Sequence, residues 1–582
     1  MKEQMMKIID VAAGRKAADL IIKNGKVVNV YGGNVIQGDI AITEGKIAGV
    51  GAYGSLPVNK DAAVMDAAGS FVAPGFIDSH IHIESSYVSP EELGRMVVPH
   101  GGTTIIADPH EIVNVCGLRG LDYMLEAGKR TKLDIQYMLP SCVPSTPFET
   151  SGANIDAEQM EEPLKNDAVL GLGEFMDFVG VIGNNEAAIN KLVAAKKAGK
   201  VIDGHAAGVA GMDLNAYASC GIAADHECAT IEEINERIAS GMYVMLREGS
   251  ACHNLRDNLK AVTKENAGRF VLCSDDRQPK TMLNEGHLDN HLRICVEEGL
   301  DAITALRMAT VNAAECFGLK DRGAIAPGKR ADLVFLKDLK NFEIRKVFIA
   351  GELVAENGTY LPEIEKYPID VVKNSVRMKD FSAEKLKMHL KSNRVNTVKI
   401  LPGGVVTEKK VETVKLDEAG EFIKTADIDV AKFAVVERHK GTGNVACGFL
   451  NGYGIQAGAI AVTIAHDSHN IIVVGVSDEE MEAAVNALQK QEGGAVLVKD
   501  GQVIESMPLP IAGLMSDQSG EWVNERLTQI HKTAHEVLGI NEDVEPVMTL
   551  TFMSLAVIPE IRLTDMGLFD VNQFAFISVE AE

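Results

Sequence analysis

After Asp66 the chain repeats one unit: a short apolar run, a polar residue or carboxylate at its end, then a helical segment. The runs are TTIIADP, DIQYMLP, AVLGLGEF, GKVIDGHA, GIAADHE, MYVMLREGS and RFVLCSDD; Gly75–His82 before them makes eight. Segments such as EAAINKLVAAKKAGK and TIEEINERIAS separate them, ending near Gly, and Thr230 with Glu233 spells a capping box. Apolar runs without strict alternation are buried on both faces, as in a parallel sheet. Eight of them predict an α/β fold built on a closed (β/α)8 barrel. An open, doubly wound sheet fits the same pattern.

The flanks have another texture. Residues 19–65 read as short strands, with Asn24-Gly25 and Glu44-Gly45 placed as hairpin turns. From Arg322, RGAIAPGKRADLVFLKD and FEIRKVFIAGELVAENG return to that pattern. The expected division is a small β domain built from both flanks (1–66 and 321–365) around a barrel at 67–320. A boundary follows in the Pro- and charge-rich stretch near 360–380. Residues 375–582 then form a separate C-terminal α/β domain, with strands FAVVERH, AIAVTIAH, NIIVVGVS and GAVLVKDGQVIE.

Several classes are disfavoured. No segment approaches the roughly 20 apolar residues that span a bilayer, and the charged start lacks a signal-peptide core. Nine scattered cysteines without a CxxC pair suggest reduced thiols and a cytoplasmic setting. A net charge of −25 argues against nucleic-acid or anionic-membrane partners.

The chemistry begins in PGFIDSHIHIESS, Pro74 to Ser86. Residues two apart in a strand point the same way, so His80 and His82 project together from the carboxyl end of the first strand. That is the face where barrel enzymes gather their catalytic groups. The pair alone is an ordinary feature of structural histidines. Its weight comes from recurrence: Glu174, His205, His226 and Asp275 end later runs, each with the chemistry of a ligand for a divalent cation. Six ligands exceed one tetrahedral ion but suit two ions sharing a carboxylate. Such a pair generates hydroxide from water near neutral pH, with Asp275 placed to take its proton and pass it to a leaving group. Hydrolysis at a planar carbon is the expected reaction.

PGFIDSHIHIESS, the strand-end ligands and the closing G-x-I-x-PGK-x-ADLV segment resemble the amidohydrolase superfamily. IHIESS, ADPHEI, GLGEFM, DGHA, DHE and CSDDR are similar to its bacterial adenine deaminases, and the likeness spans essentially the whole chain. The resemblance implies deamination of adenine to hypoxanthine and ammonia in purine salvage, by a centre of two divalent ions (Mn2+ or Fe2+ before Zn2+). It implies His80, His82 and Asp275 on one ion, His205 and His226 on the other, and Glu174 bridging them. Hydantoinases and dihydroorotases carry a carbamylated Lys where this chain has Glu174, and the PCxxC pair of cytidine-type deaminases is absent. Alternatives are hydrolysis of a cyclic amide or another aminopurine, or a silent purine- or partner-binding member. A homo-oligomer, a dimer, is expected.

Other residues carry two readings each. Besides Asp275 and His226, Glu84 is a catalytic candidate that would contact a purine nitrogen or move protons, or else a loop carboxylate. Asp276 competes with Asp275 as ligand, the latter being the first acid after the apolar run. Asp108, His110 and Glu111 line the pocket or shape an Asp-Pro turn; Arg247 and Glu248 orient substrate or form a structural ion pair, the second being the favoured reading. In IAHDSHN, His466, Asp467 and His469 cap the barrel mouth, hold another metal or pack at a domain interface. Cys273 reads as packed inside its strand.

Overall fold

The computed structural model describes every residue except Pro402, Gly404 and Glu582. The eight runs form eight parallel strands: Phe76–Ile81, Gly102–Ala107, Asp134–Leu139, Val169–Phe175, Val201–Gly204, Ala224–Asp225, Tyr243–Arg247 and Phe270–Cys273. They pair in chain order as an arc of five and an arc of three. Two seams join the arcs. Between the first and eighth strands, Ile81 bridges Asp275, and Asp275 N donates to His80 O at 2.9 Å. Between the fifth and sixth, Ala223 N donates to Ile202 O at 2.8 Å. The sheet is a closed barrel, and the open alternative is excluded. Ile77, Ile106, Met138, Met245, Val271 and Cys273 pack in one interior cluster with Phe317 and Leu319. Thr230 caps its helix as expected, accepting from Glu233 N while the Glu233 carboxylate accepts from Thr230 N.

Strands from both flanks share one nine-stranded sheet, joined where Phe71–Pro74 runs antiparallel to Leu333–Leu336. Glu44 and Gly45, at φ 54° and 69°, turn the hairpin between Asn34–Thr43 and Lys46–Gly51, as a type I′ turn requires. Asn24-Gly25 is not a turn. Ile22 pairs with Ile40 and Gly25 with Gly38, so Leu20–Asn29 carries one extra residue there, a bulge with Asn24 at φ 59°. Val27 and Val28 beyond it are buried and keep their pairing with Ile36 and Val35. That burial continues the strand through a dipeptide otherwise suited to a turn.

The C-terminal region forms an eight-stranded mixed sheet, against which the helix Asp478–Lys490 buries Met481, Ala484, Val485 and Leu488. GAVLVKDGQVIE becomes a hairpin of Gly494–Lys499 and Gln502–Pro508. The loop carrying IAHDSHN is tied to the barrel: Asn470 Nδ2 donates to Thr150 O at 2.8 Å, and Ser516 N donates to Tyr87 O at 2.8 Å nearby. Buried Arg438 donates to the carbonyls of His469 and Ala512, fixing the loop from behind.

Asp78 clasps the first–eighth seam from within. It accepts from His80 N at 3.3 Å, Ser274 N at 3.1 Å and Ser274 Oγ at 2.5 Å, and lies 3.0 Å from His287 Nε2. Burial pushes its carboxyl up, but His287 and Ser274 outweigh that and hold it below the ordinary value. Removing one member of a buried charged network leaves the rest unpaired. Asp78→Ala is expected to destabilise the protein by about 3 kcal/mol, read as a lowered apparent Tm; an unchanged Tm would show that the seam does not need this clasp.

Candidate metal centre

His80 and His82 leave the first strand toward the same side, and both are fully or nearly buried. Each has its other ring nitrogen committed. His80 Nδ1 lies 3.2 Å from Asp203 Oδ2, and His82 Nδ1 lies 3.0 Å from the Asp108 carbonyl oxygen. Those partners accept, so each ring's proton belongs on Nδ1 and each Nε2 presents a lone pair. The two Nε2 atoms face each other at 3.1 Å. Positive charge between them is required. Burial pushes both imidazoles down, yet Asp203 beside His80, and Asp275 with Glu174 beside His82, lift both above their ordinary value.

The remaining groups converge on that point. Asp275, at φ 56° just past the eighth strand, brings Oδ1 to 3.2 Å from His82 Nε2 and 3.9 Å from His80 Nε2. Glu174 spans the cluster. Its Oε1 lies 3.4 Å from His82 Nε2, while Oε2 lies 2.7 Å from His205 Nδ1 and 3.4 Å from His226 Nε2. His80, His82 and Asp275 thus form one potential cation-holding group; His80, Glu174 and His226 form another; His205, His226 and Glu227 a third. Burial would raise the Glu174 carboxyl, but His110 beside it and the hydrogen bond with His205 hold it well below its ordinary range. Burial and the charge on His80 push His226 down to about 3. Carboxylate Glu174 and neutral His226 are in the states a metal ion takes as ligands, whereas the surrounding carboxylates lift His80, His82 and, to about 9, His205 in the absence of a cation. The donors fit divalent cations.

All six expected ligands therefore lie together. Asp275 rather than Asp276 reaches the histidines; Asp276 instead accepts from Ser85 Oγ at 2.5 Å on the cavity wall. Glu84 does not line the cavity: it is buried behind it, with Oε1 accepting from Ile112 N at 3.1 Å. The helix that follows Pro109 pulls this carboxylate inward as a partner for its own backbone. His110 and Glu111 line the wall, whereas Asp108 Oδ2 accepts from Glu174 N at 2.9 Å and shapes the strand end. Arg247 is an ion-pair residue with a direct consequence for the site, donating to Asp275 Oδ2 at 2.8 Å and Glu227 Oε1 at 2.5 Å. Glu248 pairs instead with His253 at 2.8 Å. His466 and Asp467 form part of the cavity wall, so the C-terminal loop closes the barrel mouth.

Two residues escaped sequence reasoning. Glu227 follows His226 directly, and its Oε1 lies 3.4 Å from His226 Nε2. Asp203 precedes His205 by two, so strand alternation was a usable signal for its placement on the ligand side. Carboxylates that orient a metal-bound imidazole tune its affinity.

The cluster and barrel define a metal-dependent hydrolase of the amidohydrolase superfamily; residues 71–354 match the amidohydrolase family. Residues 404–575 match the adenine deaminase C-terminal domain. A protein of Desulfotalea psychrophila named adenine deaminase 2 is 64% identical over 580 residues, 100% of both chains. One of Ligilactobacillus salivarius named adenine deaminase is 52% identical over 581 residues, again 100% of both. An adenine deaminase of Bacillus pumilus is 43% identical over 583 residues and 100% of both. The chain belongs to the adenine deaminase family, whose amidohydrolase portion binds divalent metal.

Asp203→Asn is expected to weaken divalent-metal affinity by roughly 10- to 100-fold while leaving the fold intact. Competition with a chromophoric chelator measures it; wild-type affinity would mean that Asp203 does not orient His80.

Proposed function

We propose that this protein deaminates adenine hydrolytically, giving hypoxanthine and ammonia. The observation that carries the reading is the intact six-residue cluster in a chain that is 64% identical, end to end, to a protein named adenine deaminase. His80, His82 and Asp275 would hold one divalent ion and His205 with His226 the other, with Glu174 shared. Bound there, the ions supply activated water and polarise the reacting ring. Their identity is drawn from Mn2+, Fe2+ and Zn2+, all compatible with imidazole and carboxylate donors; we favour Mn2+ or Fe2+.

The chain's own groups supply the proton handling. Arg247 holds Asp275 Oδ2, leaving Oδ1 facing the histidines. Burial would raise the Asp275 carboxyl, but Arg247 and His82 outweigh it and keep it well below the ordinary range. As a carboxylate, Asp275 accepts the proton of the attacking water and returns it to the departing amine. His226, with Nε2 turned toward Glu174 and Glu227, fixes the opposite side of the cluster. Glu84 supports the His110–Ile112 turn and is left out of the chemistry. Nine free thiols and the acidic balance support a cytoplasmic enzyme without nucleic-acid partners. No helix among the described residues is long and apolar enough to cross a membrane. We also propose a homodimer.

Protein loaded with Mn2+, Fe2+ or Zn2+ should release ammonia from adenine with the ultraviolet change of the purine ring. Failure with all three would overturn the reading. Asp275→Asn should lower kcat by roughly 10²- to 10⁴-fold with an unchanged unfolding profile; wild-type turnover would remove Asp275 from proton transfer.

A further inference from the structure

The cavity beside the cluster has two owners. The barrel contributes the ligands with His110, Glu111 and Asp276, while the C-terminal domain contributes His466, Asp467, Phe552, Leu555 and Ile558. The His466 ring stacks on Phe552 with centroids 4.7 Å apart and planes at 18°. Apolar, flat walls suit a planar heteroaromatic ring, and the few polar groups among them set its orientation.

Asp467 is the conspicuous polar group on the C-terminal side. It is 3% exposed, and its Oδ2 has no hydrogen-bond partner. Its Oδ1 lies 3.6 Å from His110 Nε2, beyond hydrogen-bond range. Burial pushes the carboxyl up, but neighbouring His110 outweighs it and holds it below the ordinary value. An anionic oxygen buried without a donor is costly until something supplies one. Glu111 also has an unpartnered oxygen, Oε2, but it belongs to the barrel side of the wall, and His469 Nε2 stands 3.8 Å from it.

Its position matches the far end of the substrate. His110 Nδ1 lies 3.1 Å from Glu174 Oε1, so a single imidazole separates Asp467 from the carboxylate that spans the cluster. That separation is on the order of a purine's length. With the amino-bearing carbon at the cluster, the five-membered ring lies toward the C-terminal domain. A free purine base carries an N–H on that ring; a nucleoside carries a sugar there instead.

We propose that Asp467 Oδ2 accepts the hydrogen bond from this ring N–H, so that the C-terminal domain selects free base over nucleoside. The inference rests on the adenine reading. A site built to receive a substrate N–H discriminates strongly against an analogue lacking it, because its own acceptor is left unpaired. Asp467 is thus a substrate-reading group, remote from proton transfer.

Adenine and 9-methyladenine, which lacks the N–H, test this on the full-length metal-loaded protein. Wild type should favour adenine over 9-methyladenine by at least about 100-fold, read as KM against Ki where adenine is turned over and by calorimetry where it is not. Asp467→Ala should raise KM for adenine roughly 10- to 100-fold with little change in kcat, and should bring the two ligands' affinities close together. Asp467→Leu fills the same space without an acceptor oxygen and serves if the alanine variant does not fold. Retained discrimination in either folded variant, or a fall in kcat at unchanged KM, would overturn the proposal. Absence of deamination by wild type would instead sink the functional reading, and the ligand comparison would still decide the role of Asp467.

Discussion

Two imidazole nitrogens with their lone pairs turned on each other at 3.1 Å are the constraint around which this protein is organised. Neither ring can relieve the conflict by shifting its proton, because Asp203 and the Asp108 carbonyl hold the protons on the opposite nitrogens. The arrangement is repulsive without positive charge and favourable with it. Around it stand Glu174, Asp275, Asp203 and Glu227, all buried or largely so, with Arg247 as the nearby fixed cation. A buried excess of carboxylate has no solvent to screen it. Divalent cations answer the charge and the geometry together.

The same residues close the barrel. Asp275 N donates to His80 O across the first–eighth seam, and Asp78 holds the backbones of His80 and Ser274 immediately beneath. Sheet closure and ligand placement are therefore one event, and a slip of one residue at this seam would turn Asp275 away and bring Asp276 in. The left-handed conformation of Asp275 marks where the chain leaves the strand so that its side chain meets the histidines instead of continuing the ladder.

Legibility in the sequence followed the range of the physics. The eight strands and the His80, His82, Glu174, His205, His226 and Asp275 positions were readable because strand alternation and burial on both faces are local. Asn24-Gly25 misled because its dipeptide preference is also local, while the burial of Val27 and Val28 that overrides it depends on partner strands. The direction of Glu84 was not legible for a related reason: the chain turns after Ile83, so that Oε1 accepts from Ile112 N while Oε2 is buried without a partner. The approach of Asp467 to within 3.6 Å of His110 brings together residues more than three hundred positions apart, one in the barrel and one in the C-terminal domain. No periodicity carries that information.

The two halves of the cavity consequently divide the work. The barrel supplies charge: ligands, their orienting partners and Arg247. The C-terminal domain supplies exclusion and shape, with Phe552, Leu555 and Ile558 replacing solvent over the cluster. Displacing water strengthens each electrostatic contact within, so the roof acts on the chemistry without contributing one of the six cluster residues. It is held by backbone contacts: buried Arg562 donates to the carbonyls of Phe552, Ile558 and Val405, three residues that face the cavity. An arginine committed to carbonyls cannot exchange partners with the acidic cluster below. Rigidity of the roof is thereby kept separate from the charge balance at the metals, and each domain can hold its half of the site without disturbing the other.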